Sequence, residues 1–157
     1  MAEPRPEDLS APGRSICYRG RGSKKGNDML YNVLRSKIHR ARVTEARLHY
    51  QGSLSLDRDL MDAADLREHD WVQITSIANG ARWQTYVMAA ERGSGTVRAN
   101  GAAARHFAPG DEIIVLAFAY VTEEEREALR PTLVFVDERN AVIPPGGEDP
   151  AEVEPRA

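Results

Sequence analysis

The chain has 157 residues, a net charge of −3 and 29% charged residues. That length fits one domain with flexible ends and a real core, and no basic face marks it as a nucleic-acid binder. The longest mostly apolar run, Ile113 to Val121, is about half of what a membrane-spanning helix needs.

The first residues, Met1-Ala2-Glu3-Pro4-Arg5-Pro6, lack the charged-then-apolar pattern of a signal peptide. The single cysteine, Cys17, has no partner for an internal disulfide, and the histidines at 39, 49, 69 and 106 lack zinc-site spacing. The expectation is a cytoplasmic protein without a metal.

Residues 1–28 hold Pro4, Pro6, Pro12, several glycines and Lys24-Lys25 with no apolar period, and read as a disordered leader. Met29 opens the run Leu30-Tyr31-Asn32-Val33-Leu34, so the folded domain is expected to begin there, with Met29 as a candidate natural start and the leader either an artefact of the assigned start or an appended arm. From Val43 to Leu56 the apolar residues Ala46, Leu48, Tyr50, Leu54 and Leu56 fall on even positions, the period of a strand. Only Gly52 interrupts it, and a glycine in such a pattern marks a bulge or a close backbone approach.

Asp57 is placed to cap a helix over Arg58–Leu66 with a loose apolar face. A strand over Trp71–Ala78 meets the hairpin signal Asn79-Gly80, and Arg82–Ala90 is the return strand. Thr96–Ala99 reads as a short strand, and Pro109-Gly110-Asp111 as a turn before a long buried strand, Glu112–Val121. Glu123–Leu129 reads as a helix stopping before Pro131. Leu133–Val136 is the last strand, and residues 144–157 form a proline-rich, acidic tail expected to be disordered. Many short strands around two small helices predict a mainly-β fold, a compact β-barrel over 29–143.

Candidate chemistry gathers at three places. In Gly52-Ser53, glycine leaves its carbonyl open to attack by the neighbouring hydroxyl, the way a chain can cut itself. A Gly-Ser pair alone is usually a turn, and Gly22-Ser23 and Gly93-Ser94 repeat it. On the hairpin return, alternation sets Arg82, Gln84 and Tyr86 on one face and Trp83 and Thr85 on the other. An arginine with a tyrosine suits carboxylate binding and proton delivery, although such a face is more often merely solvated. Asn100-Gly101-Ala102-Ala103 lets a ligand approach the backbone N–H groups, or is simply a tight turn into a short helix. Lys37 is the one lysine of the folded body. Pyridoxal phosphate chemistry would need a phosphate cradle beside it, and the sequence displays none.

Taken together, Lys37-Ile38-His39-Arg40, Leu48-His49-Tyr50-Gln51-Gly52-Ser53, Asp62-Ala63-Ala64, Asn79-Gly80, Thr85-Tyr86, Ala90-Glu91-Arg92-Gly93-Ser94 and Asn100-Gly101-Ala102-Ala103-Ala104 resemble the pyruvoyl-dependent aspartate 1-decarboxylase family. These pieces keep the family's order and spacing across Met29 to Ile143. The resemblance implies a double-psi β-barrel and a homotetramer with active sites between subunits. It implies decarboxylation of L-aspartate to β-alanine for pantothenate synthesis. It also implies self-cleavage between Gly52 and Ser53, through an ester and a dehydroalanine, to a pyruvoyl group derived from Ser53. Loss of CO₂ leaves a carbanion that needs an electron sink, and a ketone able to form an imine with the substrate amine supplies one.

By the same resemblance, Ser53 and Tyr86 are catalytic, Tyr86 as proton donor. Thr85, Gly101, Ala102, Ala103, Arg82 and Lys37 bind substrate. Gly52, Tyr50, His39 and Asn100 support processing. Arg105-His106 departs from the family pattern, where a histidine directly follows the alanines, and the leader is unusual. The sequence leaves open whether a maturation factor assists cleavage. Two other readings are weighed: an unprocessed β-barrel binding module, and Ser53 as a hydrolase nucleophile, which lacks a partnered base.

Overall fold

The structure, a computed structural model, describes residues 29–144. The expected leader 1–28 and the tail past Pro144 lie outside the described residues. Nine strands form one mixed sheet: β1 (Tyr31–Arg42), β2 (Glu45–Arg47), β3 (Ser53–Asp57), β4 (Trp71–Ser76), β5 (Arg82–Ala90), β6 (Val97–Asn100), β7 (Glu112–Val121), β8 (Thr132–Val136) and β9 (Val142–Ile143), in the order β2-β6-β3-β5-β4-β7-β1-β8-β9. Parallel pairs (β1 with β8, β2 with β6, β3 with β5) interleave with antiparallel ones. This is the mainly-β, double-psi barrel architecture expected from the sequence.

The core is lined from both halves of the sheet, with Ile38, Leu54, Leu56, Val72, Ile74, Val87 and Val97 fully buried. Helix α1 (Arg58–Ala63) adds Leu60 and Met61 to it; burying each such side chain contributes about 1.5–3 kcal/mol. As expected, Asp57 caps α1, accepting from the Asp59 N–H at 2.8 Å. The helix ends earlier than Leu66 because Asp65 takes a left-handed φ of 49°. Helix α2 (Glu123–Ala128) starts in a capping box: Thr122 Oγ1 accepts from the Glu125 N–H, and the Glu125 carboxylate accepts from the Thr122 N–H at 2.8 Å.

Three expectations need correction. The stretch Val43–Leu56 is not one strand: β2 stops at Arg47, residues 48–52 bend across the surface, and β3 starts afresh at Ser53. The hairpin at Asn79-Gly80 is present, but its loop spans residues 77–81, with Gly80 at φ +70°. Strand β7 is not buried throughout: Ile113, Val115 and Ala117 face the core while Phe118 and Tyr120 stand exposed.

Candidate active site

Strand β3 builds the centre of the site. It lies between β6 and β5, and all five of its residues are buried. Leu54 and Leu56 enter the core, so alternation turns Ser53, Ser55 and Asp57 to the opposite face. Polar groups buried there need partners, and they have them. Asn100 Nδ2 donates to Ser53 Oγ and to Ser55 Oγ, both at 2.9 Å. Asp57 accepts from the N–H groups of Gly93 at 3.0 Å and Gly95 at 2.6 Å, besides that of Asp59.

Register extends this row across three strands. On the β6 side Ser53 pairs with Asn100. On the β5 side the parallel ladder pairs Leu54 with Val87, so Ser53 and Tyr86 each stand one residue before that pair. Leu54 and Val87 both point into the core, which leaves Ser53 and Tyr86 level and on the same, outer face. Neighbouring strands are about 4.8 Å apart, so Asn100, Ser53 and Tyr86 form one continuous row. The Tyr86 ring also leans on His69, with centroids 6.0 Å apart.

The peptide before Ser53 is open on one side and tightly approached on the other. Gly52 is exposed, has no positive φ, and an added Cβ there would meet nothing within 4 Å. The conformation of Gly52 itself therefore does not demand a glycine. The crowding sits at Gly101, the first residue of a short 3₁₀ turn, Gly101–Arg105. It is buried, at φ +64°, and an added Cβ would lie 2.8 Å from Gly52 Cα, 3.0 Å from Gly52 N and 3.1 Å from Tyr50 O. Gly101 thus admits the backbone of residues 50–52. After it, Ala102 is exposed and Ala103 buried. The departing Arg105-His106 segment closes the turn, with the His106 ring against Trp83, centroids 5.1 Å apart.

Arg98, which the sequence reading did not single out, completes the cluster. Its Nε donates to Asn100 Oδ1 at 3.1 Å, its Nη2 to Ser55 Oγ at 3.2 Å, and its guanidinium lies 5.4 Å from the centre of the Tyr50 ring. Its Nη1 is 3.6 Å from Glu45 Oε2. The Arg47 hydrogen bond to Glu45 holds that carboxyl below its usual range, and the charge of Arg98 adds to the effect. Only register could have found Arg98, because it reaches Ser55 through the Ser55–Arg98 pairing.

The remaining predicted residues lie elsewhere in this chain. Lys37 and Arg82 line one groove of ≈ 530 Å³ with Leu34, Gln73, Thr75, Ile114 and Leu116. Ser53 is not among the groove's lining residues. His39 is on β1, its ring 5.7 Å from that of Phe135, and β1 pairs with β7 and β8 rather than with β3. Thr85 is buried, turned by alternation away from the Tyr86 face.

A mixed double-psi barrel with a fully buried serine, a donor amide on its hydroxyl and an open glycyl peptide before it defines a class of scaffold suited to backbone self-processing. Among known proteins, residues 29–143 match the family described as aspartate decarboxylase. The chain is 50% identical over 115 residues to an aspartate 1-decarboxylase of Caldicellulosiruptor saccharolyticus, covering 73% of this chain and 90% of the relative. It is 50% identical to one of Acetivibrio thermocellus and 47% identical to one of Clostridium kluyveri, each over 115 residues, 73% of this chain and 91% of the relative. The chain belongs to the aspartate decarboxylase family.

Proposed function

We propose that this protein decarboxylates L-aspartate to β-alanine and CO₂, for pantothenate synthesis, after cutting its own backbone between Gly52 and Ser53. The observation that carries this reading is the Ser53 hydroxyl, wholly buried and held by Asn100 at 2.9 Å, directly after an exposed glycine whose neighbouring backbone only Gly101 can admit.

The first step is an acyl shift. Ser53 Oγ bonds to the Gly52 carbonyl carbon, the Gly52–Ser53 C–N bond breaks, and the hydroxyl proton ends on the Ser53 nitrogen. Loss of the Ser53 Cα proton then expels Gly52 as a carboxylate, with Oγ leaving as one of its oxygens. Water replaces the nitrogen, releasing ammonia, and the second chain starts with a pyruvoyl group.

The residues present fit that group. A buried, donor-lined position begins β3, and Gly101 admits the backbone of residues 50–52 beside it. Held there, the group would supply a ketone as partner for the substrate amine and as electron sink for the decarboxylation. Tyr86, level with Ser53 on β5, is placed to return a proton to that carbon. Lys37 and Arg82 supply positive charge for the substrate carboxylates, a bidentate role that suits arginine. The family pattern adds the backbone of Gly101, Ala102 and Ala103 and the Thr85 side chain as substrate contacts; in this subunit Thr85 is buried on the face of β5 opposite Tyr86.

The Lys37–Arg82 groove and the Ser53 row have no lining residue in common. A homotetramer with sites between subunits accounts for this, with one subunit contributing Ser53 and another Lys37 and His39. The exposed Trp71, Phe118, Tyr120 and Leu133 are the apolar surface such an assembly would cover. Domain limits follow: a body over 29–143, cut between 52 and 53. The described helices include none long and apolar enough to cross a membrane; the proposed location is the cytoplasm. The test is β-alanine production from L-aspartate by the purified protein and by Ser53→Ala. Activity in the first and none in the second is expected, whereas β-alanine from Ser53→Ala would overturn the cofactor assignment.

A further inference from the structure

The geometry points to Arg98 as a positioning residue for self-cleavage, acting through Asn100; this rests on the self-cleavage reading above. An asparagine amide carries an acceptor oxygen at one end and a donor NH₂ at the other. Which end faces Ser53 decides whether the nucleophile meets a donor or an acceptor. Arg98 settles that choice. Its guanidinium has only donors, and its Nε is 3.1 Å from Asn100 Oδ1. Reversing the amide would set NH₂ against N–H at that point. With Oδ1 fixed on Arg98, both hydrogens of Nδ2 are directed away, one to Ser53 Oγ and one to Ser55 Oγ. Arg98 holds the far side too, donating to Ser55 Oγ at 3.2 Å. Arg98 itself is held by Glu45, by the Tyr50 ring, and by a side chain only 20% exposed.

The chemistry needs that orientation at each stage. A hydroxyl that accepts from Asn100 keeps its own proton to donate, here towards Gln51 O at 3.5 Å, and a second lone pair for the Gly52 carbonyl carbon. After the acyl shift Oγ is an ester oxygen, which can only accept, so a donor amide still fits and a reversed one would oppose lone pair to lone pair. On elimination the Cβ–Oγ bond breaks and its electron pair goes to the departing Gly52 carboxylate, the Cα proton passing to water. A donor on that oxygen favours its departure. Asn100 therefore serves both steps only while Arg98 holds its oxygen.

The test uses the full chain, with the cleaved fraction followed after expression by denaturing intact mass. Arg98→Met keeps the alkyl packing and removes the donors. It is expected to slow cleavage about tenfold or more, the scale of one charged hydrogen bond, and Arg98→Lys to restore part of the rate. In an Asn100→Ala background, adding Arg98→Met should change nothing further, because the group it acts through is gone. Wild-type cleavage by Arg98→Met would overturn the assignment. So would an equal slowing with Asn100 already removed, or a slowing matched by a fall in Tm that Arg98→Lys does not rescue. A wild-type chain that never cleaves would instead defeat the self-cleavage reading, and the role of Arg98 with it.

Discussion

Gly101 and Gly52, 49 positions apart in the sequence, meet backbone to backbone, so closely that a Cβ on the first would lie 2.8 Å from the Cα of the second. The restrictive glycine of the Gly52-Ser53 site is thus Gly101, which shapes the space beside the peptide to be cut. Gly101→Ala brings two penalties together, a left-handed φ of 64° and contact with an immovable backbone. It should block or greatly slow cleavage and lower stability by roughly 1–3 kcal/mol. Gly52→Ala, with open space around it, should leave the uncut fold unchanged. Chemical denaturation and intact mass of the two variants check this, and equal behaviour would contradict it.

Tyr86 stands level with Ser53 but makes none of the hydrogen bonds that hold the serine. Tyr86→Phe should therefore cleave like the wild type and then lose turnover by roughly 10²–10⁴-fold, the usual contribution of a positioned proton donor. Unchanged kcat would remove Tyr86 from the reaction.

How much of this could be read beforehand depended on whether local pattern or long-range register decided it. Strands β5 and β7 have the limits the sequence predicts, Arg82–Ala90 and Glu112–Val121, because steady alternation or a sustained apolar run marks them. Strand β1 was legible only at its start. Its pairing with β7 shifts register between Leu34 and Ser36 and again between Ile38 and Ala41, and Arg40 takes φ 59°, so no single period survives. The even-numbered apolar set across 43–56 misled for the opposite reason: the alternation continues through an exposed bend. Within the site, Gly52, Ser53 and Asn100 were legible as motifs. Arg98 and the level placement of Tyr86 were not, since both follow from which strands pair with β3.

Arg82 is exposed at the edge of the groove it lines with Lys37. Arg82→Gln should leave cleavage unchanged and raise KM for aspartate about 10- to 100-fold, the scale of a lost charge-assisted hydrogen bond. Steady-state kinetics on the processed protein measure it; an unchanged KM would exclude Arg82 from carboxylate binding.

One pH effect has a defined sign. The Thr122 N–H holds the Glu125 carboxyl below its usual range, so the stability it contributes is fully present above the unfolded value near about 4.3. It is lost as pH falls through the lower folded value. Thermal melts should show wild type more stable than Glu125→Gln at neutral pH, with the difference shrinking in acid below that point. A difference that grew in acid would contradict the capping box.

The most direct measurement of the central claim is the denaturing intact mass of the purified, active protein. The expected result is two species, residues 1–52 and a second chain lighter than its sequence by one ammonia, as conversion of Ser53 to a pyruvoyl end requires. A single species of 17.4 kDa with full decarboxylase activity would contradict it.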